Sequence, residues 1–272
     1  MTESSAAVVG SPEDSVTLSR EGHIHVITLN RPERLNALDT DAHERLEHLI
    51  RKADRDDDSR VIVITGAGRG FCAGGDVKKM VGNDSFGREG RTRVLTPGRD
   101  LVDTIIRTEK PIIAMVNGVA SGLGATIALL SDIVIMSEDA KIGDRHVNVG
   151  LVAGDGGAVI WPLLVGPARA KEYLMTGRLL TGTEAERVGL VSRAVPLSEL
   201  RTVVMSLAEE LAALPPYAVQ ATKASVNRIL EAVSGVVLDA SLAYEHLSMK
   251  SADHQEALAA WAEKRPGKYV GQ

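Results

Sequence analysis

Two glycine-rich turns carry the residues best suited to chemistry. The first, Gly66-Ala67-Gly68-Arg69-Gly70-Phe71-Cys72-Ala73-Gly74-Gly75-Asp76, follows the apolar run Val61-Ile62-Val63-Ile64-Thr65. The second, Asn117-Gly118-Val119-Ala120-Ser121-Gly122-Leu123-Gly124, follows Ile112-Ile113-Ala114-Met115-Val116. Glycine reaches positive φ and lets a backbone approach a ligand closely. Two such turns can aim two main-chain N–H groups at one oxygen, which stabilises an oxyanion during reaction at a carbonyl. Further along, Ile142-Gly143-Asp144-Arg145-His146-Val147 and Val152-Ala153-Gly154-Asp155-Gly156-Gly157 place titratable groups in a glycine-rich stretch. The ordinary pKa of histidine, near about 6.5, suits His146 to acid–base work.

Other chemistries fit less well. A dinucleotide fingerprint needs a third glycine where Phe71 stands, and no phosphate-binding GK[ST] motif is present. Ser121 lies one place too late for a GxSxG nucleophile elbow. His23 and His25 alternate on a predicted strand without further ligands nearby, so they read as packing or surface residues and no metal site is expected. The single cysteine, Cys72, permits no internal disulfide and fits a reducing cytoplasm. It has no neighbour that argues for an activated thiolate.

The elements that must position these groups follow from hydrophobic periodicity. Val16–Ser19 and Ile24–Asn30 read as strands around a turn at Glu21-Gly22. From Asp39 to Arg55 the apolar residues Ala42, Leu46, Leu49, Ile50 and Ala53 recur at helical steps, and Asp56-Asp57-Asp58 closes that helix. Val61–Thr65, Ile112–Val116 and Ile133–Met136 read as buried strands, and Leu190–Val195 as a last short one. Met80 to Glu109 predicts a helix preceded by a mobile loop, with Leu101, Ile105 and Ile106 inward. Gly82, Gly87 and Gly90 suggest a lid. Gly122–Leu130 predicts a short helix, 141–157 an ordered loop, and 158–175 a helix broken at Gly166-Pro167. After Pro196 the pattern is helical: Glu199–Ala213, Ala218–Ser234, Val236–Ser248 and Asp253–Lys264. Alternation of strands and helices implies a largely parallel α/β arrangement.

Composition bounds the rest. The chain has 272 residues, 44% hydrophobic but only 3% aromatic, so its core rests on Val, Ile, Leu and Ala. A net charge of −5 argues against nucleic-acid binding and against electrostatic attachment to membranes. No stretch reaches the roughly 18 apolar residues of a membrane span. Residues 1–14 read as a disordered leader, 15–197 as the α/β core and 198–272 as a helical C-terminal region.

Several of these motifs together resemble the crotonase (enoyl-CoA hydratase/isomerase) superfamily. They are Asn30-Arg31-Pro32-Glu33-Arg34-Leu35-Asn36-Ala37-Leu38, the two glycine-rich turns, Ser131-Asp132-Ile133, Val149-Gly150-Leu151, the run from Gly182 to Val191, and Lys264-Arg265-Pro266. The resemblance covers residues 16 to 268 in the family's order and spacing. It implies a spiral of ββα units with a C-terminal all-helical trimerisation region, assembling as a homotrimer or hexamer. It implies an acyl-CoA thioester as small-molecule substrate, with coenzyme A as part of that substrate and no permanently bound cofactor.

By position, the resemblance makes Gly75 and Leu123 the two oxyanion donors. Leu123 begins a predicted helix, where free N–H groups and the helix dipole favour negative charge. Arg34 and the Ala73–Gly74 backbone fall around coenzyme A, and Lys264, Arg265 and Lys268 near its 3′-phosphate. Asp76 is expected to cap the helix that follows it. The two glutamates of family hydratases match Thr126 and His146 here, so two-glutamate hydration is not expected. Asp155 sits where dienoyl-CoA isomerases and a dehalogenase carry an aspartate near the reacting carbons. Asp155, His146 and Asp144 are therefore the candidate acid–base or nucleophilic groups. The chemistries open to them are hydration, double-bond isomerisation, decarboxylation, dehalogenation and hydrolysis. A non-catalytic acyl-CoA binder would need no titratable group at the thioester, and in that reading Asp155 caps the next helix.

Overall fold

The structure, a computed structural model, describes residues 11, 14–76 and 96–271. The expected lid, and any helix that Asp76 would cap, lie outside the described residues, as does most of the leader. Asp14, at the edge of that leader, is fixed by Arg45, whose Nη2 donates to its carboxylate at 2.6 Å.

Short strands alternate between two sheets. The chain enters as a hairpin, β1 (Val16–Glu21) and β2 (Ile24–Leu29), turning at Gly22. Helix α1 (Thr40–Arg55) follows, capped by Asp39, and buries the predicted Ala42, Leu46, Leu49, Ile50 and Ala53. Three successive turns of chain then repeat one pattern. β3 (Val61–Gly66), β5 (Ile112–Val116) and β7 (Ile133–Ser137) enter the first sheet, while β4 (Gly70–Cys72), β6 (Val119–Ser121) and β8 (Lys141–Gly143) enter the second. Helices α2 (Thr96–Arg107) and α3 (Leu123–Leu130) close the first two of these turns. The first sheet runs β1-β2-β3-β5-β7-β10, parallel except for the β1–β2 pair, with β10 spanning Arg193–Val195. The second runs β4-β6-β8-β9, where β9 (Leu180–Thr181) is antiparallel to β8. Each glycine-rich turn is thus the point where the chain steps from one sheet to the other.

The second sheet was not legible in the sequence, because its strands are two or three residues long and sit inside glycine-rich stretches. The stretch 141–157, expected as loop, contains β8 and a 3-10 turn, His146–Val149. The predicted break after Val165 is real. α4 (Gly157–Val165) and α5 (Pro167–Thr176) meet at Gly166, and α6 (Gly182–Arg187) follows. The predicted break at Gly235 is not: α8 runs unbroken from Pro216 to Ser248. One glycine in an otherwise favourable helix costs only about 1 kcal/mol, which packing against α2 and α4 offsets.

The helical tail, expected to serve oligomerisation, also packs on the core. Helix α7 (Leu197–Ala213) lays Leu200, Val204, Ala208 and Ala212 on the sheet, against Ile24, Val26, Val61, Val63 and Ile113. Helix α8 is anchored by Lys223, whose Nζ lies 2.7 Å from Asp132 Oδ2, and Asp132 also accepts from the Ile112 N–H. Burial pushes the Asp132 carboxyl up and the Lys223 ammonium down, and their mutual attraction opposes both shifts. Removing one partner of such a pair strands the other charge. Lys223→Met is therefore expected to lower the unfolding free energy by about 3 kcal/mol in chemical denaturation. An unchanged denaturation midpoint would show that Asp132 does not depend on this partner. Helix α9 (Ala252–Glu263) closes the chain.

Candidate active site

The first turn is held by amide side chains. Asn36 Nδ2 donates to the carbonyls of Ala67 and Gly70, and Asn117 binds Gly66 through both its amide oxygen and nitrogen. The turn then runs beside Leu38 as a parallel bridge. Leu38 N–H donates to Gly74 and Asp76 N–H donates to Leu38. The flanking residues thus make the bridge hydrogen bonds, and the Gly75 N–H points away from Leu38. Gly74 adopts φ +94°, and a Cβ there would lie 2.7 Å from the Ser121 carbonyl oxygen. Only glycine lets the two turns come this close. Leu123 is the first residue of α3, so its N–H has no intrahelical acceptor. Both Gly75 and Leu123 line one cavity of about 440 Å³.

His146, Asp155 and Glu245 line the same cavity. His146 Nδ1 lies 2.7 Å from Asp144 Oδ1, and its Nε2 lies 3.4 Å from Asp155 Oδ2 and 4.0 Å from Glu245 Oε1. Thr126 Oγ1 donates to Asp155 Oδ1 at 3.2 Å. Burial works against charge on His146, but the facing carboxylates of Asp155 and Asp144 outweigh it and hold its pKa well above the usual value. Burial likewise opposes the Asp155 charge, and the imidazolium overcomes it, so this carboxyl titrates lower than usual. Asp155 is thus an ionised carboxylate, braced on one oxygen by a hydroxyl and on the other by a cation.

The alternative role for Asp155 does not survive. Gly156, not Asp155, precedes α4, and no side chain caps that helix. Gly156 sits at φ +116°, where a Cβ would lie 2.7 Å from Thr126 Cγ2. That turn points Asp155 into the cavity instead of along the helix. Helix α8 clamps the same loop: Ser241 Oγ donates to the Gly154 carbonyl, and Ser248 Oγ accepts from Val152 N–H.

Of the residues expected around coenzyme A, Ala73 and Gly74 line the cavity, whereas Arg34, Lys264, Arg265 and Lys268 are not among its lining residues. The Arg34 guanidinium binds Asp76 at 2.6 Å, and Arg31 reaches the same carboxylate. Asp76 therefore fixes the Arg31–Arg34 turn against the glycine turn, and the helix it was expected to cap lies outside the described residues. Arg265 is paired with Glu256 and Glu263. It holds the Glu256 carboxyl down to about 2. Lys268 N–H also binds Glu256.

Asp144, His146 and Asp155 are the described residues whose ligand atoms, all within 4.8 Å of one another, could hold a metal ion. The imidazole turns a different nitrogen to each carboxylate, so it bridges them by hydrogen bonds, and a charged ring repels a cation. The set suits proton transfer better than metal binding. Cys72 is buried, and desolvation pushes its thiol up to about 12, so it is no nucleophile. His25 binds Asp56 at 2.7 Å and His23 the Asp58 carbonyl, both away from the cavity.

The sequence reading missed Glu245. It lies on α8, in a stretch expected to serve oligomerisation, and helical periodicity marks a buried face without naming the cavity behind it. It also missed His43 of α1 and His246 of α8, which line the cavity with buried Nδ1 atoms that have no hydrogen-bond partner.

Comparison with known proteins gives concordant results. The family model described as Enoyl-CoA hydratase/isomerase matches residues 19–272. The 1,2-epoxyphenylacetyl-CoA isomerase of Escherichia coli is 34% identical over 253 residues, which cover 93% of this chain and 97% of that protein. The short-chain-enoyl-CoA hydratase of Clostridium acetobutylicum is also 34% identical, over 93% of this chain and 96% of its own. A solved enoyl-CoA hydratase/isomerase from Mycobacterium paratuberculosis superimposes with a TM-score of 0.84 at 36% identity, over 90% of this chain and 97% of that one.

Proposed function

Since the chain belongs to the enoyl-CoA hydratase/isomerase family and is an acyl-CoA thioester enzyme of the crotonase type, we propose that it moves a double bond along an unsaturated acyl chain. In this reading the thioester oxygen sits between the N–H groups of Gly75 and Leu123, and Asp155 removes a proton from the α-carbon. The negative charge that develops spreads onto that oxygen, where fixed amide dipoles in a partly desolvated site stabilise it. The observation that carries the proposal is Asp155 itself, a buried carboxylate kept ionised by His146 in the cavity that both donors line.

Thr126 and His146 occupy the two positions where hydratases of the family place glutamates. Thr126 is committed to Asp155 and His146 is flanked by acids, so neither supports the two-glutamate addition of water. The Ala73–Gly74 backbone is assigned to the pantetheine arm and Arg34 to the nucleotide. With Arg265 engaged by glutamates, Lys264 and Lys268 are the better partners for the 3′-phosphate. Exposed Val226, Ile229, Val236, Tyr244 and Leu247 on α8 support assembly into a homotrimer or hexamer. Among the described residues no helix is long and apolar enough to cross a membrane.

The test is incubation with a panel of 2-enoyl, 3-enoyl, dienoyl, malonyl-type and aryl CoA thioesters in D₂O, followed by mass spectrometry and isomer separation. The expected result is deuterium in the acyl chain together with a shifted double bond. Binding of thioesters that all return unlabelled and unchanged would overturn the reading.

A further inference from the structure

The base has a partner across the imidazole. Glu245 projects from the last turn of α8 into the cavity, with its carboxyl oxygen 4.0 Å from the nitrogen of His146 that also faces Asp155. Its side chain packs on the Asp155 loop: a Cβ on Gly154 would lie 2.6 Å from both its Cβ and its Oε2. Glu245 is buried. No arginine or lysine pairs with it among the ion pairs of the described residues. Three titratable groups face it, Asp155 and Asp144 with negative charge and His146 with positive charge. The carboxyl thus faces the groups proposed to do the chemistry, with His146 as the cation nearest to it.

We propose that Glu245 is the second acid–base group of the site, giving a proton to the carbon chain after Asp155 has taken one. This rests on the isomerase reading above. The substrate in this mechanism is a 3-enoyl thioester. Asp155 takes a proton from C2, and the electron pair of that C–H bond forms a dienolate with its charge on the thioester oxygen. The Glu245 carboxyl then protonates C4, the pair moves back to form the C2=C3 bond, and the carbonyl is restored. Asp155 is left protonated and Glu245 ionised, and His146, within reach of both, returns the proton from one to the other. Burial and the neighbouring Asp155 charge push the Glu245 carboxyl up to about 8, so it still carries its proton at neutral pH. The paired environments drive the two carboxyls apart, one ionised and one neutral, which is how acid and base roles are divided between like groups.

The experiment compares wild type with Glu245→Gln and Glu245→Asp, using 3-hexenoyl-CoA in D₂O. Wild type is expected to exchange C2 hydrogens, to label C4 and to lose kcat as pH rises through about 8, where Glu245 gives up its proton. Glu245→Gln is expected to keep C2 exchange while losing isomer formation by about 10²-fold or more, with the alkaline fall abolished. Glu245→Asp should restore part of the turnover with a displaced alkaline limb. Isomer formation at the wild-type rate in Glu245→Gln, or an alkaline limb that does not move, overturns the assignment. So does equal loss of exchange and turnover, which is the mark of a structural role. If wild type itself neither exchanges nor isomerises any thioester, the failure lies with the isomerase reading and takes this one with it.

Discussion

Asp155→Asn is expected to abolish deuterium exchange at the α-carbon and to lower kcat by about three orders of magnitude, within the range a positioned general base supplies. The substitution keeps the shape and keeps an oxygen for the Thr126 hydroxyl to donate to, but it removes the charge and the lone pairs that receive the proton. It also removes one of the two carboxylates that hold His146 charged, so the imidazole pKa drops toward its ordinary value. Thioester affinity should change little, because the proposed donors to the carbonyl are main-chain amides and the cavity walls are untouched. The measurement is single-turnover kinetics with proton exchange followed by mass spectrometry, alongside a thermal melt to show the fold intact. Wild-type exchange in Asp155→Asn would remove Asp155 from the mechanism and shift the search to His146.

The second large effect comes from the backbone. Leu123→Ala should leave kcat within a few-fold of wild type, whereas Leu123→Pro should lower it by about 10²–10³-fold. The amide of Leu123 is the proposed donor, and the side chain is buried in the core beside the cavity. Proline removes that N–H and nothing else that a first helical position needs, since its fixed φ suits the start of a helix. Here α3 begins at Leu123, and the first intrahelical donor is Thr126, whose N–H binds the Gly122 carbonyl at 3.0 Å. The loss should appear in kcat more than in KM, because the donor acts on charge that develops during reaction. Equal activity of the alanine and proline variants would show that Leu123 N–H does not touch the reacting oxygen.

Much of the architecture could be read from the chain because the signals were local. The helix α1 pattern, the buried strands β3, β5 and β7, and the break at Gly166-Pro167 each follow from periodicity or a backbone constraint that acts within a few residues. The second sheet was hidden because Gly70–Cys72, Val119–Ser121 and Lys141–Gly143 are too short to show a period and take their identity from their neighbours. Gly235 failed as a helix break because one poor local choice is outvoted by packing along 33 residues.

The candidate site divides along the same line. Which chemical groups are present was fixed by residue type: glycines able to bring two turns together, a histidine and aspartates in the loop that follows. The amides of Gly75 and Leu123 were singled out by the family resemblance, and a helix start at Leu123 agrees with it by exposing free N–H groups. Charge state and partnership were decided only by the tertiary structure. Asp155 is ionised because Thr126, from α3, and His146, from the 3-10 turn, brace it from opposite sides, and it faces the cavity because Gly156 turns it away from the helix it precedes. Glu245 lies 90 residues further along the chain and keeps its proton only because α8 buries it beside a carboxylate. Ionisation depends on the distance and burial of neighbouring charges, and those are properties of the folded chain that no local pattern encodes.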